Sequence, residues 1–478
     1  MEMGFPGVPC GQYVQEMIAY LSFLFVLLSI FGVAFAPDAF NRPFCVVEMV
    51  LYVVFGGMFM RHKIKRNGLI CFDTFFIPSY LLVNYAHAVF IYPNDQFLPA
   101  FLFATRSEVI PYAISIAQLG IAMYMLASIV FEKTGPVCKS KKIEIPQIAV
   151  LRAAVASVVA GLGIFAYVFL TNRVQEFIHL FPRLMALIMA LITLSWYYQA
   201  QQIEEEERGV KTLIKRNKLN ILAVVLFSSS QLYIGSRSEV ILLMFVILMI
   251  IDAYYVKVKF KVLLPGIVVS IILMGLVMIT RVSKYSLMEV PIAESVEYGV
   301  KTIMESPNIL WMLLTDFVVN AKTLYEAVDY VSLNGYLYGL PYIPYLFVFL
   351  PMGGSLMVKL LIGEEVNDLA SGVVLSYFSG ATYGLGMNLT GDLYINLSLI
   401  GVCVMMFLLG LLLARVESPG SKYQSFVYMA LFAHCVFLVR ADIFCWLTFF
   451  VFYIILDWLL RVHINTGETE EVVSEETS

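Results

Sequence analysis

The sequence predicts an all-α polytopic integral membrane protein, and three observations support this prediction. Hydrophobic residues make up 60% of the 478 residues and charged residues only 14%, against about 25% charged in a typical soluble domain. The apolar residues form runs close to the ~20 residues that a helix needs to cross a ~30 Å hydrocarbon layer. Basic residues lie in short clusters between these runs, and the net charge is only -4, so nothing indicates a nucleic-acid partner.

We predict about twelve transmembrane helices. They lie at residues 14–36, 43–60, 70–92, 109–131, 147–170, 184–202, 219–234, 238–256, 262–280, 394–414, 423–439 and 443–460. Nine of them occupy residues 1–280 and three occupy residues 394–461, with a large loop at 281–393 between the two groups. The polar, acidic tail at 462–478 is interpreted as a disordered cytoplasmic end.

The distribution of basic residues predicts the orientation. One set of short loops contains 19 Lys and Arg residues, whereas the alternate short loops contain six. The positive-inside rule places the first set in the cytoplasm. Both termini are therefore expected in the cytoplasm, and the loop at 281–393 is expected on the outer, extracytoplasmic side.

Two of the predicted hairpins depend on single charged turns. Gly235-Ser236-Arg237 divides one long apolar block, and Arg440-Ala441-Asp442 divides another. A charge left at the bilayer centre would cost on the order of 2.5–3.5 kcal/mol. We therefore expect a tight turn at the membrane surface in each hairpin.

The large loop is not hydrophilic. It contains NILWMLLTDFVVN, YLYGLPYIPYLFVFLP and SLMVKLLIG, each too short or too rich in proline to span a bilayer. Such segments suit short amphipathic or re-entrant helices at the interface. We expect them to form a lid over the outer face of the bundle.

Motifs for several enzyme classes are missing from the sequence. There is no P-loop, GxGxxG, HExxH or GxSxG motif, and the five histidines show no i,i+4 pair. The seven cysteines are scattered without CxxC spacing and are interpreted as packing residues. We therefore expect no cofactor and no protein metal site, although the sequence leaves open a divalent ion bound to the loop.

Three arginines lie on the outer side against the charge bias: Arg237, Arg281 and Arg440. Their predicted depth is the same, at the headgroup level. A guanidinium group presents a planar fork of donors that suits phosphate oxygens. We predict a seat for a diphosphate whose lipid tail stays in the bilayer. The alternative is local pairing, of Arg237 with Glu239 and of Arg440 with Asp442.

Three acidic residues stand out beside or within apolar runs. Asp392, in GDLYIN after a glycine-rich stretch, is placed to orient or deprotonate a hydroxyl group, or alternatively to cap a helix. Glu48 and Asp252 fall inside apolar runs. Packing or interface positions are the first interpretation for both, and a proton relay is the alternative.

The C-terminal half resembles the Wzy-type oligosaccharide repeat-unit polymerases. The resemblance rests on GSRSEVILLM at 235–244, YLYGLPYIP at 336–344, GDLYINLSLIGV at 391–402 and LVRAD at 438–442, in the order found in that family. The chain departs from the family pattern at three positions. Met352 stands where an arginine is frequent, Asp392 where a glutamate is frequent and Ser398 where a glycine is usual.

The resemblance implies a GT-C-like glycosyltransferase of the bacterial cytoplasmic (inner) membrane. Donor and acceptor would be oligosaccharides linked to undecaprenyl diphosphate, and a chain-length regulator and a flippase are expected partners. Catalytic roles would fall on Asp392, Asp442 and Arg440. Binding of substrate or diphosphate would fall on Arg237, Arg281, Arg440, Tyr338, Lys359 and Tyr394.

Two other functions fit parts of the same pattern. A ligase that transfers finished glycan to another acceptor would share the long outer loop and the arginines. A flippase or other transporter of lipid-linked sugars would instead be expected to show pseudo-symmetric halves and charges through the membrane centre.

Overall fold

In the computed structural model, all regular secondary structure among the described residues is helical, and no β-strand occurs there. The described residues are 10–98, 105–132, 145–171, 182–234, 236–271, 308–347, 370–381, 386–418 and 420–462, with the isolated positions 101, 297, 301, 304, 359–360 and 363. The predicted tail at 462–478 lies, after Val462, outside the described residues.

The α-helices are numbered in chain order. They are α1 Cys10–Ala34, α2 Arg42–Asn67, α3 Phe72–Ala86, α4 Ile110–Val130, α5 Gln147–Thr171, α6 Pro182–Gln201, α7 Val210–Arg216, α8 Lys218–Ile234, α9 Ser238–Ile250, α10 Phe260–Ile271, α11 Ile309–Leu313, α12 Thr315–Val318, α13 Asn320–Asn334, α14 Ser371–Phe378, α15 Leu389–Val416, α16 Lys422–Ala433 and α17 Leu447–Val462. A π-helical turn extends α3 to Ile91 and another extends α9 to Tyr255.

Seven helices among the described residues are long and apolar enough to cross a membrane, so the prediction of a helical membrane protein agrees with the structure. These seven are Val14–Ala34, Arg42–Asn67, Phe72–Ile91, Ser107–Val130, Gln147–Val168, Ser238–Tyr255 and Leu389–Val416. The other predicted spans coincide with α6, α8, α10, α16 and α17. For the span at 262–280, residues 272–280 lie outside the described part of the chain.

The hairpin predicted at 423–460 has a different form. Helix α16 ends at Ala433 and α17 begins only at Leu447, so a 434–446 segment of turns replaces the predicted tight turn. Cys435, Leu438 and Val439 in this segment are completely buried. Irregular backbone is tolerated at membrane depth when protein encloses it. The prediction of a tight turn at Arg440-Ala441-Asp442 was therefore wrong.

The helix ends that the charge count assigns to one side of the membrane do meet at one end of the bundle. Gln15, near the start of α1, donates to the carbonyl of Glu132, just after α4. At the same end, Lys63 of α2 pairs with Glu417, just after α15. Lys422 of α16 pairs there with Asp457 of α17. After the predicted orientation, we refer to this as the inner end and to the opposite one as the outer end.

Helices α4 and α15 form the closest long contact of the bundle. A Cβ atom on Gly120 would lie 2.9 Å from Cγ1 of Val402, and one on Gly410 would collide with the backbone of Tyr124. Small residues allow two helix backbones to approach closely in this way. Hydrophobic clusters form around α1–α4 with α13 and α15, and around α5, α6, α8, α9, α16 and α17.

The large loop contributes short helices, as predicted, but its longest one is part of the bundle. Residues 320–329 of α13 are buried and pack against α3, α14 and α15. Polar contacts hold the helix: Lys322 lies 3.6 Å from Glu326, and Arg106 donates to Asp329 at 2.8 Å. Because this helix is packed into the core, the loop is not simply a lid over the outer face.

Glu48 and Asp252 both take up packing or interface positions. Glu48 is 3% exposed, and its carboxyl group lies against Gly32 of α1. Asp252 accepts from Lys257 at 2.8 Å and from the backbone N–H of Val258 at 2.7 Å. Asp252 therefore closes the π-helical turn at the end of α9, at the inner end.

Helix α15 begins at Leu389, earlier than predicted, and contains a kink. Ser398 has φ 66° and ψ -175° inside the helix. This region of backbone space belongs almost exclusively to glycine and costs other residues of order 1–3 kcal/mol. A glycine at this position would adopt this conformation without the strain.

Ser398→Gly is expected to stabilise the protein. The gain is about 1 kcal/mol, because relief of the backbone strain exceeds the roughly 0.5–1 kcal/mol entropic cost of a glycine. The measurement is the thermal unfolding midpoint of the purified full chain in detergent micelles, which should rise. Ser398→Ala is the control, since it removes the hydroxyl group and keeps the strained φ. An equal rise in Ser398→Ala would refute the backbone explanation.

Candidate functional site

Two of the predicted arginines meet at the outer end around one carboxylate. Arg237 precedes the first turn of α9, and Arg440 lies in the 434–446 segment. Asp316 of α12 reaches both, with Oδ2 at 2.9 Å from Arg237 Nη1 and 4.0 Å from Arg440 Nη1. The fold therefore brings side chains from three distant parts of the sequence to one point.

A cavity of about 90 Å³ opens between these groups. A single water needs only about 10–15 Å³, so the space admits a larger polar group. Its lining residues are Arg237, Ser238, Ile241, Asp316, Phe317, Phe437 and Arg440. The guanidinium carbon of Arg440 lies 5.6 Å from the centre of the Phe437 ring. Cationic and apolar walls in one cavity suit a ligand with an anionic head and an apolar portion.

The guanidinium of Arg440 is in an electrostatically demanding position. Burial lowers its pKa, Asp316 raises it, and nearby Arg237 lowers it again. Two cations held this close need an anion between them. Asp316 supplies that anion.

Local pairing of Arg440 with Asp442 is not what the structure shows. Arg440 is directed to Asp316, while the Asp442 carboxylate accepts from the backbone N–H of Phe444 at 3.1 Å and from the Tyr345 hydroxyl. Glu239, the local partner considered for Arg237, accepts hydrogen bonds from Ser236 and Ser238. Arg440 and Asp442 therefore have different partners, although only Ala441 separates them in the sequence.

Asp392 lies at the centre of a buried hydrogen-bond network at the start of α15. Its carboxylate is completely buried and accepts from the Tyr342 hydroxyl at 2.9 Å, the Ser371 hydroxyl at 2.8 Å and the Asn396 amide at 3.1 Å. The helix cap is Asn388, whose side chain accepts from two backbone N–H groups of the first turn. The alternative of Asp392 as the cap was therefore wrong.

The two predicted catalytic carboxylates are neighbours. Tyr342, whose hydroxyl donates to Asp392, has its ring 5.0 Å from that of Phe444, two residues after Asp442, and the two carboxylates interact electrostatically. Burial raises the pKa of Asp442, against the hydrogen bonds from Tyr345 and the backbone. A carboxylate with a raised pKa is a stronger proton acceptor than one in water.

The remaining predicted binding residues lie elsewhere. Tyr394 is 6% exposed and packs against the rings of Tyr112 and Tyr336, on a different side of α15 from the contacts of Asp392. Tyr338 is 82% exposed with φ 53°, and Lys359 is exposed. Arg281, together with Pro351 and Met352, lies outside the described residues.

Several residues of the site were not identified from the sequence. Asp316 is one of several acidic residues in the 281–393 loop, and no motif distinguishes it; Tyr345 lies in the apolar stretch YLYGLPYIPYLFVFLP, where it is one of several tyrosines. Ser371 belongs to no motif that would have indicated a functional role. Asn396 was recognisable in principle, because its spacing of four residues from Asp392 places both on one face of a helix. Tyr342 and Tyr345, three residues apart, share a face of the 3-10 helix Leu340–Phe347 in the same way.

Metal binding has no support from side-chain clustering in the part of the chain that the structure describes. No group of three or more His, Cys, Asp or Glu residues there has an arrangement suited to an ion. Asp392 and Asp442 bring two carboxylates together, and their oxygens are engaged by hydroxyl, amide and backbone donors.

Comparison with known proteins adds no further constraint on the function. The chain matches no protein-family model, no curated protein and no solved structure.

Proposed function

We propose that this protein is a membrane glycosyltransferase that polymerises undecaprenyl-diphosphate-linked oligosaccharide repeat units into a polysaccharide. The proposal includes twelve spans in a GT-C-like arrangement in the bacterial inner membrane, with both termini in the cytoplasm. It also includes a flippase and a chain-length regulator as partners. Its basis is the family resemblance together with the chemistry of the outer-end site.

One observation carries the proposal. The 434–446 segment presents Arg440 to the arginine cavity and Asp442 to the carboxylate pair, with a single residue between them. Transfer from a lipid diphosphate requires a cationic seat for the leaving group and a proton acceptor for the attacking hydroxyl. The two requirements meet on one short segment.

The arginine pair would stabilise the departing diphosphate. Guanidinium groups aimed at developing phosphate charge act strongly where water is excluded. The apolar walls, Ile241, Phe317 and Phe437, suit the first prenyl units of the lipid. Before the diphosphate binds, Asp316 would act as the counter-ion of both arginines. It would be displaced, or would share the arginines with the diphosphate, once the ligand binds.

The carboxylates would activate the acceptor sugar. Asp442 is half-buried whereas Asp392 is completely buried, so Asp442 is the better placed proton acceptor and Asp392 would position it. The acceptor oxygen would attack the anomeric carbon of the donor and form the new glycosidic bond. The bond from that carbon to the diphosphate oxygen would break, and the hydroxyl proton would pass to the carboxylate.

A deletion strain tests the overall assignment. The polymerase predicts single lipid-linked repeat units that accumulate outside the inner membrane. Trapping of those units on the cytoplasmic side would instead support the flippase. Normal polymer that is not transferred to its final acceptor would support the ligase.

Arg237→Ala and Arg440→Ala are each expected to reduce polymer formation by about a hundredfold or more, the usual cost of losing one stabilising donor in an active site. The measurement is polymer formed in membranes that contain equal amounts of each variant. Arg106→Ala is the matched control, because Arg106 is an outer-end arginine paired with Asp329 at 2.8 Å. Normal polymer lengths in both variants would refute the proposal that these two arginines bind the diphosphate.

Asp316→Asn is expected to tighten the binding of inorganic diphosphate by about tenfold. The ligand then no longer competes with a charge-assisted bond worth about 1.5–3 kcal/mol. Calorimetric titration of the purified chain measures the affinity, with Asp329→Asn as the control. Unchanged or weaker binding in Asp316→Asn would contradict a counter-ion role for Asp316.

Asp442→Asn is expected to abolish polymer formation while it leaves the protein folded, since an amide retains the acceptor for Tyr345. Asp392→Glu is expected to keep measurable activity, because the resembling family often has glutamate there. The assay is polymer formation at equal membrane abundance, with Asp329→Asn again as the control. Full activity in Asp442→Asn would show that this carboxylate is not the proton acceptor.

A further inference from the structure

A second group of buried charges lies at the inner end, away from the proposed active site. The Lys63 side chain is completely buried, and its Nζ lies 2.9 Å from Glu417 Oε2, 3.2 Å from Glu132 Oε1 and 4.0 Å from Asp73 Oδ2. Glu132 also pairs with His62 at 2.7 Å and with Arg66 at 3.3 Å. Glu132 therefore contacts two permanent cations, Lys63 and Arg66, and the imidazole ring of His62.

Asp73 and Glu417 are placed differently from Glu132. One oxygen of Asp73 accepts from the Tyr124 hydroxyl. The other, Oδ2, and Oε1 of Glu417 are buried without a hydrogen-bond partner among the described residues. Both carboxyl groups approach the same ammonium, with Asp73 Oδ2 4.0 Å and Glu417 Oε2 2.9 Å from Lys63 Nζ, and the two groups interact with each other. Two ionised carboxylates facing each other in an apolar interior would repel strongly.

The local charges also do not balance if all three carboxyl groups are ionised. Three carboxylates surround two permanent cations, Lys63 and Arg66. His62 cannot supply the missing charge at the facing oxygens, because its ring contacts Glu132. The titratable and charged groups that face Asp73 are Tyr52 and Lys63 of α2, Cys71 before α3, Tyr124 of α4, Glu417 after α15 and Tyr428 of α16. His62 and Arg66 of α2 face Glu132 instead.

We propose that Asp73 and Glu417 bind one proton between them, so that a carboxylic acid–carboxylate pair joins α3 to the inner end of α15. The shared proton supplies the donor that both unpartnered oxygens lack. It also leaves two negative charges, on Glu132 and on the pair, to balance Lys63 and Arg66. The site is independent of the proposed polymerase activity.

Infrared spectroscopy of the full chain in detergent micelles tests the proposal directly. A protonated carboxylic acid has a carbonyl stretching band distinct from that of a carboxylate, and the band shifts in D₂O. The wild type should show this band near neutral pH. Both Asp73→Asn and Glu417→Gln should remove it, because loss of either partner abolishes the shared proton.

Asp457→Asn is the matched control. Asp457 is also a buried inner-end carboxylate with a tyrosine donor, Tyr198 at 2.6 Å, but Lys422 at 2.8 Å and Arg461 at 2.7 Å pair with its two oxygens. Its two oxygens face two cations and no second carboxyl group, so its replacement should leave the carboxylic acid band unchanged. A wild-type spectrum without a band that depends on Asp73, or a band that survives in Glu417→Gln, would overturn the shared proton.

The pH dependence of unfolding provides a second readout. The folded protein would hold a proton that the unfolded chain releases at neutral pH, so stability falls as the pH rises. The unfolding equilibrium constant should increase about tenfold more per pH unit in the wild type than in Asp73→Asn, until the pair ionises. Parallel pH profiles for the two proteins would refute the proposal even if Glu417→Gln failed to fold.

Discussion

The pairing of charges that are out of reach of water is the constraint on which this structure depends. An isolated ion in an apolar interior costs far more than a packing contact contributes, so charged side chains gather at the two ends of the bundle. Lys63 with its carboxylates and Asp457 with its cations close the inner end. Between the ends, α4 and α15 meet through glycines.

The outer-end site departs from this arrangement in a way that suits function. Arg237 and Arg440 share Asp316 beside an open cavity. Asp442, two residues after Arg440 in the 434–446 segment, lies close to Asp392 of α15. Like charges are thus held in pairs on neighbouring surfaces. Such pairs are costly to assemble and are typical of sites whose charge is completed by a ligand or a proton.

Helix α15 connects both ends of the molecule. Asp392 lies near its outer end, Glu417 follows its inner end, and the strained residue Ser398 lies between them. A kink in this helix sets the direction in which its first two turns approach Tyr342 and Ser371. The position of the carboxylate network therefore depends on a local backbone conformation that the rest of the fold must enforce.

The sequence by itself determined the helical membrane class, the positions of most helices and the grouping of their ends, because hydropathy and charge act locally along the chain. It also identified four residues that the fold brings together, Arg237, Arg440, Asp392 and Asp442. Only the tertiary structure decided that Asp316 joins the arginines, that Asn388 caps α15 and that residues 434–446 form an irregular, partly buried segment. These features depend on side-chain packing between helices far apart in the sequence, which no periodicity encodes.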